Sequence, residues 1–458
     1  LTGTKTLTDL KMSKTKSIGK TTSDIKGLVL SRIVSITLAD GQRKFEEYLN
    51  NIKLTEDDFF MGRRTIVNSL NAALKITNDI VIKLKASGKA KWDDPDFGAQ
   101  NDEDHAITSI YFDEGPPGYP NIEDIYWCRP EEISTEKPPQ FLEEGASSGD
   151  VMQGALGDCW FIGALAIIGA NDYYLRGEYN PRPDAVTEIS DEEAKGMVSG
   201  IYPPVFHYLR QYGIYVIRFY KDYAWRYVII DDKLPCYKPE GCIPQLVFAK
   251  CRNEEEFWVP IVEKAYAKLY NCYEALISGY IDDALNDMTG LVNRKMKIQG
   301  PRGFPSSEAV DADTFWKLIE NYVRSGTLLG CSVQANPGET EHGVEIDGED
   351  VGILKGHAYS ILDVIELPNP ACENTHKSHR LLRVRNPWGN TEWNGDWSDG
   401  STKLMNNIEK INAYIKQLAV RSSDFEPFDP ESNDGTFLIS FKDWREIYTN
   451  LYCCINFP

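Results

Sequence analysis

Histidine is scarce in this chain. Six occur among 458 residues, so chemistry that needs an imidazole has few places to be. No apolar run approaches the roughly 18 residues that a membrane-spanning helix needs. The ten cysteines are too sparse and irregular to form a disulfide framework in so long a chain, and most stand alone in apolar or strand-like context. A reducing, cytoplasmic setting is therefore expected. Positive charge is in short supply: 49 Lys and Arg against 69 Asp and Glu give a formal net charge of −20. That balance argues against nucleic acid or an anionic membrane as the main partner. It suits a protein that holds cations, although most surface acids are simply solvated. The first residue is Leu1 rather than Met, so the lack of a leader carries no weight.

What is present is ordinary globular material, 42% hydrophobic and 26% charged, long enough for about three domains or subdomains. One stretch organises it. Gln153-Gly154-Ala155-Leu156-Gly157-Asp158-Cys159-Trp160 is polar and glycine-rich, and the small and aliphatic run Phe161 to Gly169 follows. This pattern predicts a tight loop delivering Cys159 to the first turn of a buried helix. A helix N-terminus offers unpaired N–H groups and a positive dipole end, which favour the nucleophilic thiolate form of a cysteine. The bland alternative is one more inert, buried thiol.

A cysteine nucleophile needs a histidine base and a group to orient it, distant in sequence but adjacent in the fold. His357 follows Gly356 and opens an alternating, β-prone run through Val364. Asn386 closes a second alternating run, Leu382 to Arg385, and is followed by Pro387-Trp388-Gly389. Two strand ends can thus present His and Asn to a helix-borne cysteine, in the Cys-His-Asn form of the triad. Trp388 would then either shield the His–Asn hydrogen bond or simply pack in the core.

Along the chain, residues 1–39 read as a flexible basic tail. From about 40 to 86 the pattern is that of a helical hairpin, with arms around Phe45 to Ile52 and Ile66 to Leu84. Residues 87–125 read as a linker rich in Gly, Asp and Pro. Strands are expected over Tyr212–Phe219 and Ala224–Ile230 and helices over Ile261–Tyr270 and Asp313–Ser325, with a hinge at Thr289-Gly290 between subdomains 126–290 and 291–458.

The blocks Gln-Gly-x-Leu-Gly-Asp-Cys-Trp, Gly-His-Ala-Tyr-Ser and Arg-Asn-Pro-Trp-Gly, in this order, resemble the protease core of calpains, the calcium-dependent cysteine proteases. Further blocks agree: Trp127-Cys128-Arg129-Pro130, Ile230-Asp231-Asp232-Lys233-Leu234-Pro235, Glu256-Phe257-Trp258 and Asp434-Gly435-Thr436-Phe437. The resemblance covers about residues 126–458. The separation of 357 − 159 = 198 positions exceeds the roughly 130–150 of small papain-like chains and fits the calpain layout.

The resemblance implies a papain-like α+β fold, a helical subdomain and a β-rich one with the cleft between them. It implies a calcium-activated intracellular endopeptidase that makes limited cuts in proteins with flexible exposed segments, through a thioester on Cys159. His357 would be the base, Asn386 its orienter, and the Gln153 amide part of the oxyanion hole. No EF-hand pattern occurs, so calcium would be held by separate loops. By resemblance the first site maps to Glu143, Gly145, Asp150 and Glu256. The second maps to Glu392, Asp399 and Asp434 with a carbonyl near Ser432; it departs from the family at Thr436, where a carboxylate is usual, and a helix-like insert near Ile408 to Val420 lengthens it. Regulatory domains or subunits outside this chain are compatible with it. Two other readings stand beside this one: a catalytically silent calpain-like scaffold, and a papain-like protease that needs no calcium.

Overall fold

The computed structural model describes residues 47, 49–98, 109–113, 115–134, 136–142, 145–171, 174–175, 200–238, 240–298, 311–336, 341–368, 378–418 and 425–455. The chain divides into two compact units, Leu1–Lys53 and Leu54–Pro458. Of the first, the described part includes helical residues 47 and 49–51. Everything below concerns the second; the basic tail predicted over residues 1–39 lies outside the described residues.

The second unit opens with the short hairpin β1 (Phe59–Phe60) and β2 (Arg63–Val67), then helix α1 (Leu70–Ser87). The predicted second helical arm therefore begins at Leu70, capped by the Ser69 side chain, and not at Ile66. Ile66 and Val67 are strand residues because they pair with Val228 and Tyr227 of β6 (Ala224–Asp231), far along the chain. With β5 (Ile214–Lys221) these strands form a four-stranded sheet in the order β1-β2-β6-β5. Asp222 and Tyr223 both have positive φ at the β5–β6 turn, the conformation that a two-residue hairpin demands.

Both faces of this sheet are buried, and the strands alternate accordingly. Ile217, Phe219, Val228 and Ile230 face the main core of the helical half. Val216, Tyr227 and Ile229 face α1 and the segment Pro204–Tyr212. The expected linker over residues 87–125 is not loose where it is described. Phe97, Ile110 and Tyr111 are part of the main core, and Trp92 donates its backbone N–H to Tyr212.

The main core is built around helix α2 (Cys159–Gly169), all eleven of whose residues are buried. A helix apolar on every side can only be an interior one. Helices α3 (Trp258–Leu269) and α4 (Ile281–Thr289) flank it. Each large aliphatic side chain so buried contributes about 1.5–3 kcal/mol.

The second half is a six-stranded antiparallel sheet. Its order is β10 (Val292–Lys297), β17 (Asn450–Ile455), β11 (Leu328–Val333), β14 (His357–Pro368), β15 (Ser378–Arg385), β16 (Thr436–Ser440). Helices α5 (Ala312–Arg324) and α7 (Phe441–Ile447) supply Phe315, Trp316, Phe441 and Trp444 to one of its cores. Short strands β3 (Ile125–Cys128), β7 (Leu234–Tyr237) and β8 (Gln245–Leu246) form one small sheet, β4 (Val151–Met152) and β9 (Lys250–Cys251) a second, and β12 (His342–Ile346) and β13 (Glu349–Lys355) a third. The predicted insert is helix α6 (Ile408–Leu418), which buries Ile411 and Ile415 against Ile365, Leu381 and Leu438; positions 419 and 420 of it lie outside the described residues. The helical half meets the sheet through α2, where Ser360 of β14 donates its hydroxyl to the Gly163 carbonyl at 2.7 Å.

Candidate active site

The three chemistry-bearing residues sit where local structure changes. Cys159 is the first residue of α2, behind the N-cap Asp158. His357 is the first residue of β14, after Gly356 in the left-handed region at φ +74°. Asn386 follows the last residue of β15, and its backbone N–H is tied to Gly435 O at 2.8 Å. All three are buried, and His357 is only 1% exposed.

The geometry brings them together. His357 Nε2 lies 2.8 Å from Asn386 Oδ1. Asn386 Oδ1 also accepts the Trp388 backbone N–H at 3.0 Å, and its Nδ2 donates to Thr391 O. An amide oxygen fixed in this way can only accept, so Nε2 carries the hydrogen. That leaves Nδ1 facing Cys159. Burial alone would lower the His357 pKa, but the neighbouring Cys159 sulfur and then the Glu341 carboxylate outweigh it and push the value up to about 10. The Trp388 ring lies 5.0 Å from the imidazole and covers one side of it.

These residues open onto a cleft of about 1210 Å³ between the helical half and the sheet, lined by Gln153, Cys159, His357, Trp388, Tyr280 and Lys295 among others. Gln153 is held at its backbone by Pro387 O, 3.0 Å away. Its Nε2 donates to Leu156 O at 2.7 Å, and the second N–H of the amide remains for another acceptor. The loop that carries it runs tight against the protein: a Cβ on Gly154 would stand 2.1 Å from the Phe248 carbonyl oxygen, which only glycine avoids.

Three features had no motif to mark them. Glu341 Oε1 lies 3.1 Å from His357 Nδ1. Beneath the nucleophile, Asp158 and Glu263 of α3 are buried together, 0% and 1% exposed. Burial raises the Asp158 carboxyl to about 7, and burial with the adjacent Asp158 charge raises Glu263; the pair must hold a proton between them. The hint was there in sequence: a charge at 263 inside an apolar helical run. Third, Glu426 accepts the Ser148 hydroxyl at 2.9 Å, linking the stretch before β16 to the loop before α2.

The residues predicted to hold calcium fall into two places. Asp150 accepts the Ser147 N–H at 2.7 Å, and Glu256 is buried nearby across Cys251; Glu426 adds its charge to Asp150. Glu143 lies outside the described residues, and Gly145 is described with φ +117°. On the sheet side, Glu392 and Asp399 share a hydrogen bond. Burial, then Glu392, raises Asp399 to about 8, with Asp434 and Asp429 adding to it. Asp399 Oδ1 has no hydrogen-bond partner. Thr436 presents its backbone N–H to Asp434 at 2.7 Å and contributes no carboxylate. Crowded, mutually destabilised carboxyls with an orphaned oxygen suit a hard cation. Yet neither set converges to within 4.8 Å; among the described residues the one His, Cys, Asp and Glu group that does so is Cys159, Glu341 and His357.

A thiol, an imidazole and a carboxamide brought together on an α+β, papain-like scaffold are the arrangement that the cysteine peptidase class carries. The family model "Calpain family cysteine protease" matches residues 92–455, and the chain belongs to that family. It is 33% identical to Calpain-9 of Mus musculus over 366 residues, covering 79% of this chain and 42% of that protein. It is 30% identical to "Calpain-type cysteine protease ADL1" of Oryza sativa over 384 residues, covering 82% of this chain and 14% of that one. Similarity to the Calpain-2 catalytic subunit of Mus musculus is 29% over 366 residues, covering 80% of this chain and 43% of that one. The chain thus spans less than half the length of these relatives. No described helix is long and apolar enough to cross a membrane.

Proposed function

We propose that this chain is a calcium-regulated, cytoplasmic cysteine endopeptidase acting on flexible segments of proteins. The observation that carries it is the imidazole of His357, tied through Nε2 to Asn386 Oδ1 with Nδ1 turned to Cys159. In this reading the Cys159 thiolate attacks the scissile carbonyl carbon. The Cys159 N–H and the Gln153 amide hold the oxyanion. The C–N bond breaks as His357 passes its Nδ1 proton to the leaving amine, and a thioester remains. His357 then takes a proton from water, whose oxygen attacks the thioester and releases the acid and the thiolate.

Asp150, Glu256 and Gly145 would hold one calcium and Glu392, Asp399 and Asp434 a second, with Glu426 as a further acidic neighbour of the first. Bound calcium would supply charge neutralisation that lets the acid clusters close and bias the two halves toward alignment. A calcium-independent reading is kept by Thr436 and by contacts that join the halves without any ion, such as Arg385 Nη2 to Val151 O at 2.6 Å.

The test is hydrolysis of an unstructured protein such as casein, with calcium or a chelator, against a Cys159→Ala control. Cleavage that needs calcium and is lost in the variant is expected. Cleavage indifferent to the chelator would leave the peptidase reading and remove the calcium one. Activity that survives in Cys159→Ala would remove both.

A further inference from the structure

Nδ1 of His357 has an unusual set of neighbours. Since Nε2–H is committed to Asn386, Nδ1 of the neutral ring is a bare lone pair. Around it stand Glu341 Oε1 at 3.1 Å and the Cys159 sulfur, and all three atoms lie within 4.8 Å of one another. A carboxylate can only accept, and so can the cysteine sulfur once its proton has left. Three electron-pair donors facing one another require a cation between them. A proton on Nδ1 satisfies that need, and it is the state that the peptidase mechanism uses.

A metal ion satisfies it equally. We propose that Cys159, His357 and Glu341 form a binding site for a borderline-soft divalent cation, zinc, which switches the nucleophile off when bound.

The donor set selects the ion. Thiolate, imidazole and carboxylate are the ligands that zinc takes, in tetrahedral geometry. Calcium needs six to eight oxygens, and this group offers one carboxylate. Zinc with ordinary bond lengths holds its ligand atoms about 3.4–3.6 Å apart, so closing the site asks for movements of about 1 Å. Glu341 is the ligand free to make them, with its side chain 30% exposed at the cleft while that of His357 is fully buried. The open cleft supplies the entry path and the fourth position for water. The outer partner is in place too. A metal-bound histidine almost always donates its other ring N–H to an oxygen that fixes its orientation, and Asn386 Oδ1 does so here. Coordination takes up the sulfur lone pair and the Nδ1 position, so attack on a carbonyl and proton transfer are both blocked. The binding does not rest on the peptidase reading; the inhibition does.

Cobalt(II) is the probe, because its bond to a thiolate gives an intense near-ultraviolet charge-transfer band. The whole chain is titrated with cobalt in a thiol-free reductant, beside Cys159→Ala, Glu341→Gln and Glu341→Ala, with near-ultraviolet circular dichroism confirming that each variant is folded. We expect one cobalt per chain with a thiolate band, displaced by zinc and missing in Cys159→Ala. Both Glu341 variants should bind about 10- to 100-fold more weakly, the range that even an outer partner of a ligating histidine commands. An unchanged band in Cys159→Ala would assign the metal to another cysteine, such as the exposed Cys242, and overturn the proposal. So would no thiolate band, or undiminished affinity in both Glu341 variants. A chain that binds cobalt as expected but cleaves no protein would retain the metal site and lose the peptidase reading.

Discussion

At the scale of single residues, His357 sets the pH behaviour. Its pKa of about 10 lies above the unfolded value near 6.5. A raised base contributes stability that is fully present below the unfolded value and is lost as pH rises through the folded one; here the window runs from about 6.5 to about 10. Activity follows the same sign, since the leaving amine needs the imidazolium proton. kcat/KM on a flexible peptide should therefore hold through neutral pH and fall on the alkaline side near pH 10. Glu341→Gln removes one of the charges that support the imidazolium, so the alkaline limb should move to lower pH by about one unit or more. A limb that stays in place would mean that Glu341 does not act on the His357 proton in solution.

At the scale of elements, α3 shows how charge can be placed inside a core. All twelve of its residues are buried, and Glu263, Lys264 and Lys268 are each met by a partner. Lys268 Nζ reaches Asp94 at 2.5 Å and Ile229 O at 2.7 Å; Lys264 Nζ reaches Asp231 and Lys233 O. Glu263 accepts the Ala249 N–H at 3.1 Å and faces Asp158, with only a shared proton to join the two carboxyls. Asp158 has a raised pKa, so the folded state holds its proton longer than the unfolded chain, and stability falls as pH climbs from about 4 to about 7. Glu263→Gln supplies a permanent N–H to Asp158 and keeps an oxygen for Ala249. It should flatten that decline and raise stability near neutral pH by about 1–3 kcal/mol, the usual cost of an unsatisfied buried polar group. Denaturant melts at pH 5 and pH 8 check this; an equal difference from wild type at both would break the link to titration. The same scale explains what was legible. Cys159, His357 and Asn386 could be placed because each depends on local punctuation: a glycine loop before a helix, a glycine before a strand, a proline after one. Glu341 could not, because its contact with His357 depends on the hairpin His342–Ile346 and Glu349–Lys355 folding back between them. Ile66 and Val67 read as helix because their spacing suits one, and the pairing with β6 that overrides it comes from far along the chain.

At the scale of the second unit as a whole, the proposed catalysis depends on the register of two halves that share an apolar seam, with Leu328, Ala358, Tyr452 and Cys454 of the sheet packed into the core of the helical half, and that are pinned near the site by a few polar contacts. Arg252, from the helical half, reaches Gly389 O at 3.3 Å and Asn433 O at 3.4 Å on the sheet side, and Gly149 O at 3.2 Å on its own. Arg385 reaches back to Val151 O, and the Ser148 hydroxyl meets Glu426. These bonds surround the loop that carries Gln153 and Cys159, while His357 and Asn386 belong to the other half. Arg252 bonds are long and partly exposed, so Arg252→Ala should cost little stability, about 1 kcal/mol or less. The kinetic cost should be larger, because displacing reacting groups by about 1 Å can lower rates as much as 100-fold. We expect kcat to fall at least several-fold while the denaturation midpoint scarcely moves. A loss of stability in proportion to the loss of rate would assign Arg252 a general structural role. An unchanged kcat would leave Arg385, the Ser148–Glu426 bond and the Ser360–Gly163 bond as the polar contacts that hold the cysteine opposite its histidine.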